Sequence, residues 1–140
     1  MRDTVLNNIQ LRFQSLLDIV ESLEPSLLTQ QLEVPKSKSI GEHMWCLVGA
    51  RESYSRALLV GQWDGFSCSL ESDENLADIN DELKSSQVMF EQVIEGVQTW
   101  TQERDELLVS LLEHETMHEG QLIRHVFALG HTLPDSTKWA

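Results

Sequence analysis

Two histidines four residues apart, His114 and His118, lie in the run Leu111-Leu112-Glu113-His114-Glu115-Thr116-Met117-His118-Glu119-Gly120-Gln121-Leu122. On a helix such a pair is rotated by about 40° and offset by about 6 Å along the axis, so both imidazoles reach one ion. The spacing is that of a metal-ligand pair. Residues 114–118 also satisfy the H-E-x-x-H pattern of zinc peptidases, in which Glu115 would be the general base.

A peptidase of that kind needs another ligand downstream and an edge strand to hold its substrate. Gln121 and Arg124 stand where a metzincin carries glycine and histidine, and no strand is predicted, so this reading is set aside. A third donor must then come from another segment. His43 sits where a core residue is expected on the second helical segment, with Cys46 at the edge of the same stripe. Zinc held by three protein ligands keeps a position open for water or substrate. His125 lies about 10 Å along the axis from His118, too far to share an ion with it.

The plainer alternative is that the buried histidines bond to carboxylates or carbonyls across the fold. Leaving one unpartnered would cost roughly 1–3 kcal/mol. Glu42, Glu115 and Glu119 could accept a proton. In so acidic a chain they read first as solvated flank residues. Tyr54 reads as core, Cys68 as an ordinary loop thiol, and Trp63, Trp100 and Trp139 as packing or dimer contacts.

Four amphipathic segments must position these groups. The first runs from Thr4 to about Glu24 on Val5, Ile9, Phe13, Leu16, Leu17, Val20 and Leu23. Pro25 and Pro35 bracket a connection that leads to the exposed stretch Lys36-Ser37-Lys38. Ser39-Ile40-Gly41-Glu42 fits a capping box and opens the second helix, to about Val60, on Ile40, His43, Leu47, Ala50, Tyr54, Ala57 and Leu58. About fifteen residues without periodicity follow, long enough to cross the bundle.

The third helix spans about Leu76 to Gln98, and the fourth about Gln102 to Leu129, with Gly130 as its C-cap. The fourth carries the stripe Leu107, Leu111, His114, His118, Leu122, His125 and Leu129, and the tail folds back through Leu133 and Trp139. The expected class is all-α, an antiparallel four-helix bundle forming one domain over residues 1–140.

Ten Lys and Arg against 23 Asp and Glu give a net charge of −13, which disfavours nucleic acids and anionic membranes. No run approaches the roughly 18 apolar residues of a membrane span, and no export signal is seen, so the expected location is cytoplasmic. Cys46 and Cys68 read as reduced thiols.

Residues 114–122, the helix end at Gly130 and Leu133-Pro134, together with Ser39-Ile40, Leu47 and Glu52, resemble the DinB/YfiT-like superfamily of metalloenzymes. The resemblance spans the chain in architecture and these stretches in specific residues. It implies an up-down-down-up bundle, a homodimer, and a divalent metal, zinc or nickel, held by one residue of helix two and two of the last helix. His114 and His118 carry over as ligands. The family's third ligand aligns with Cys46, whereas periodicity favours His43; the alignment is given the greater weight, with His43 second.

Some relatives in that superfamily are transferases or isomerases that use a low-molecular-weight thiol. The resemblance therefore implies a metal-dependent enzyme acting on a small-molecule substrate, a thiol S-transferase or hydrolase, in which the metal activates a thiol or water. The competing expectation is a non-catalytic metal- or small-ligand-binding bundle, such as a stress-response protein.

Overall fold

A computed structural model describes residues 1–138; Trp139, expected to help anchor the tail, lies outside the described residues. Four long helices are present: α1 (Arg2–Ser22), α2 (Ile40–Val60), α3 (Leu76–Gly96) and α4 (Gln102–Ala128). Short 3-10 turns occupy Pro25–Leu27 and Asp135–Thr137, and no strand occurs among the described residues. No helix of the described residues is long and apolar enough to cross a membrane.

Local chemistry accounts for the helix starts. The Ser39 hydroxyl accepts from the Glu42 N–H at 3.1 Å, and the Glu42 carboxylate accepts from the Ser39 N–H at 2.6 Å. This reciprocal cap is worth about 1 kcal/mol. Asn75 and Thr101 cap α3 and α4 in the same sense. Helix α1 begins earlier than its apolar stripe implies, because Arg2 forks onto Asp105 of α4 at 2.6 and 3.0 Å.

The cross-links set the topology. Arg2 meets Asp105 and Arg12 meets Glu119, so α1 and α4 run parallel. Arg104 donates to the Leu58 carbonyl while His118 meets His43, so α4 runs antiparallel to α2. The connection of residues 61–75 retraces α2: the Ser67 N–H donates to the Ser53 hydroxyl at 3.0 Å, and the Ser69 N–H to Glu52 at 2.9 Å. Phe66 and Cys68 press on Gly49 and the Asp73 backbone on Gly41, so closely that a Cβ at either glycine would collide.

Helix α3 thus starts beside the start of α2 and runs parallel with it. The bundle is up-down-down-up, with α1 touching α3 and α4, and α2 touching the same two. The expected crossing of the long connection is what makes α2 and α3 parallel.

The core divides in two. One cluster gathers Leu16, Ile19, Ile40, Met44, Leu47, Ile79 and Leu122, the other Ile9, Phe13, Leu58, Phe90, Leu108 and Leu111. Each such buried side chain contributes about 1.5–3 kcal/mol. Between the clusters lies a polar belt of Arg12, Ser15, Arg51, Ser86, Glu115 and Glu119, all buried. In the connection after α1, Lys36 takes a left-handed φ of 61°, which costs a non-glycine residue about 1–2 kcal/mol. The tail returns to α1 through residues 135–137, with Leu133 against the first cluster.

Candidate metal centre

His43 stands in the first turn of α2, its N–H bonded to the Ser39 carbonyl at 3.2 Å, so the cap that starts the helix also sets the height of this ring. Across the bundle, His114 and His118 rise from successive turns of α4. The Nδ1 atoms of His43 and His118 lie 2.9 Å apart. Because an imidazole N–H must donate and a bare ring nitrogen accept, the two rings hold opposite roles at Nδ1. The rings of His114 and His118 lie 4.5 Å apart between centroids.

His114 Nδ1 is buried with no hydrogen-bond partner among the described residues. Such an orphan costs about 1–3 kcal/mol. His125 also enters the neighbourhood, its ring centroid 6.3 Å from that of His43. Its Nε2–H donates to the Gln30 carbonyl at 2.9 Å, which commits that nitrogen to the connection after α1.

All these rings are held in the neutral form, the one that binds metals. Burial, aided by the Lys38 charge, lowers the His43 pKa to about 4. Burial and then the neighbouring His114 and His43 lower that of His118 to about 3. His114 is lowered too, by burial first and then by Lys38 and Arg51.

Two nitrogens bound to one tetrahedral zinc stand about 3.3 Å apart. The His43–His118 separation of 2.9 Å is near that value, and the unpartnered His114 nitrogen supplies a further donor of the same kind. The donor set therefore suits zinc or nickel. As the side chains stand, His43 and His118 bond to each other, and among the described residues no three His, Cys, Asp or Glu side chains close around one point.

Cys46, preferred by alignment, is not brought to the histidines. Its Sγ accepts from Lys38 Nζ at 3.1 Å and lines a hollow with Glu42, Trp45 and Asp73. Three residues along α2 turn the side chain by about 60° from His43, enough to place it outside the α2–α4 seam. Cys68 is a free thiol pushed up to about 11, chiefly by burial.

The glutamates correct the solvated-flank expectation. Glu115 and Glu119 are both 0 % exposed. Arg51 donates from Nε and Nη2 to the two Glu115 oxygens, each at 2.9 Å. Burial holds the Glu115 carboxyl above the ordinary carboxylate range, with Arg51 opposing. Arg12 donates to Glu119 at 3.0 Å, and the Ser15 hydroxyl donates to its other oxygen. Only Glu42 serves at a helix start, as the cap partner.

With both Glu115 oxygens engaged by a buried guanidinium, the residue that the peptidase pattern casts as base is a structural anion. The buried stripe of α4 accordingly runs through Leu108, Leu111, Glu115, His118, Leu122 and Val126, while Leu107, His114 and Leu129 lie at its margin. Apolar stripes alone do not reveal Arg12 and Arg51. Their signal was the second i, i+4 pair, Glu115 and Glu119, on the face adjoining the histidines.

Other expected contacts are modest. Tyr54 is half-buried and packs on Trp63, with centroids 4.9 Å apart, and Arg2 lies 4.5 Å from the Trp100 ring centroid. The fold and the cluster define an all-α bundle with a histidine site between its second and fourth helices. Compared with protein-family models and with curated proteins, the chain matches none.

Proposed function

We propose that the chain is a DinB/YfiT-like metalloenzyme in which His43, His114 and His118 hold one divalent ion, zinc or nickel, between α2 and α4. The observation that carries this reading is the meeting of His43 Nδ1 and His118 Nδ1 at 2.9 Å beside the unpartnered Nδ1 of His114. Cys46, bonded to Lys38, has no part in it. A bound ion supplies Lewis acidity that lowers the pKa of a thiol or a water. The reaction class is transfer of a low-molecular-weight thiol to a small electrophile, or hydrolysis.

The chain's own residues do the rest. Burial keeps the three rings neutral and able to donate lone pairs at neutral pH. The Arg51–Glu115 and Arg12–Glu119 pairs pin α4 to α2 and α1 beside the site, which limits sliding of the ligands. His43 and His125 open onto a cleft of about 730 Å³ between the 32–38 connection and α4, large enough for a small substrate. The same resemblance implies a homodimer.

Elemental analysis of protein purified without an affinity tag is the first test. Near-stoichiometric zinc or nickel, lost in both His43→Ala and His118→Ala, is expected. Wild-type protein that stays metal-free after incubation with either ion would end the proposal. Metal-dependent turnover of an electrophile with a thiol separates the enzyme from a bundle that only binds metal.

A further inference from the structure

The charges of this acidic chain are unevenly placed. Of its ten Lys and Arg, Arg2, Arg12, Arg51, Lys84 and Lys138 pair with carboxylates. Arg56 bonds to Ser53 and Ser67, and Arg104 to the carbonyls of Leu58, Leu59 and Thr99. The remaining three, Lys36, Lys38 and Arg124, have no carboxylate partner among the described residues, and all three line the cleft of about 730 Å³ above His43.

None of the described Asp and Glu lines that cleft, although the chain has 23 of them. Its other walls include Leu32, Val34, Pro35 and Met117, which are apolar, and His43 and His125, which are neutral. Lys38 also donates to the Cys46 Sγ and borders the hollow that holds Glu42 and Asp73, so Lys36 and Arg124 are the cleft's less committed cations. A concavity with cations free of ion pairs at its mouth, an apolar wall and no carboxylate in its lining focuses a positive potential in a molecule that elsewhere repels anions. The guanidinium of Arg124 offers a fork that fits a carboxylate or phosphate, and the two ammonium groups add charge without fixed geometry.

From this placement we infer that the cleft binds a small organic anion, its carboxylate or phosphate held by Arg124, Lys36 and Lys38 and its apolar body laid against Leu32, Val34 and Met117. The bound molecule then extends toward His43. As the substrate class of the proposed enzyme this rests on the metal reading; as a binding site it does not.

Titration calorimetry on the full chain tests it, with hexanoate and phenyl phosphate as probes and hexanamide and inorganic phosphate as controls. Each is run on chelator-treated protein and on protein with added zinc. Saturable binding of hexanoate or phenyl phosphate is expected in the chelator-treated protein, weakened at least tenfold in Arg124→Gln and in Lys36→Gln/Lys38→Gln. The stronger of the two probes shows whether the head group is carboxylate or phosphate.

The affinity should fall as salt rises, because the cations are solvent-exposed. Absence of saturable binding by both probes would overturn the inference, as would hexanamide or inorganic phosphate binding as tightly as they do. So would an affinity changed less than threefold in both variants. Since these side chains are exposed, the variants should keep the wild-type circular dichroism spectrum. Protein that takes up neither zinc nor nickel on incubation yet still binds the probes would refute the metal centre and leave the anion cleft standing.

Discussion

The polar belt and the histidine cluster are both buried, both polar and both centred on α4, yet they are finished to different degrees. In the belt each carboxylate oxygen of Glu115 and Glu119 has a donor, and the Arg51 guanidinium also lies 3.9 Å from the Phe13 ring centroid. In the cluster His114 Nδ1 has no partner among the described residues, and two neutral rings from different helices share one hydrogen bond. A saturated network locks helices together; an unsaturated one retains lone pairs for something else. The contrast separates side chains that hold the fold from those available for chemistry.

The largest expected break is in the belt. Arg51→Ala strands a carboxylate with 0 % exposure and should cost about 3–5 kcal/mol, read from the denaturant midpoint. Replacing the pair together, as Arg51→Met/Glu115→Leu, should recover most of that loss, because an apolar pair needs no compensation. If the double variant is as unstable as the single one, the belt is not an ion-pair device.

In the cluster the order of effects reverses. His118→Ala should lower stability by only about 1–2 kcal/mol while abolishing zinc uptake, measured by elemental analysis beside a thermal melt. Equal damage to fold and metal content would erase the distinction between the two regions.

Proton linkage sharpens it further. His43 and His118 have folded pKa values of about 4 and about 3, below the ordinary 6.5. The unfolded chain therefore takes up protons first as pH falls, and their stabilisation is complete above pH 6.5 and lost between there and about pH 3. Metal-free His43→Gln/His118→Gln should show a flatter stability profile across that window. The smallest effect is expected from Cys46→Ser, with unchanged metal content and stability within about 0.5 kcal/mol.

Much of the fold was legible in the residues. The Ser39–Glu42 capping box marked the start of α2, and Leu76 and Gln102 marked α3 and α4 at the observed residues. The site was only half legible. Spacing put His114 and His118 on neighbouring turns, but choosing between His43 and Cys46 needed the rotation of α2 against α4. Glu115 and Glu119 resemble surface residues in isolation, and their partners lie 64 and 107 positions away.

By itself the sequence determined four helices, the cap that opens α2 and a long second connection, because helix periodicity and capping involve groups within a few residues of one another. Tertiary structure alone decided that two carboxylates would be buried, that His43 rather than Cys46 would face His118, and that three cations without carboxylate partners among the described residues would gather around one cleft. Those outcomes depend on which surfaces meet once the chain is folded. A rotation of about 60° about the axis of α2 would exchange His43 for Cys46 while leaving the local pattern untouched.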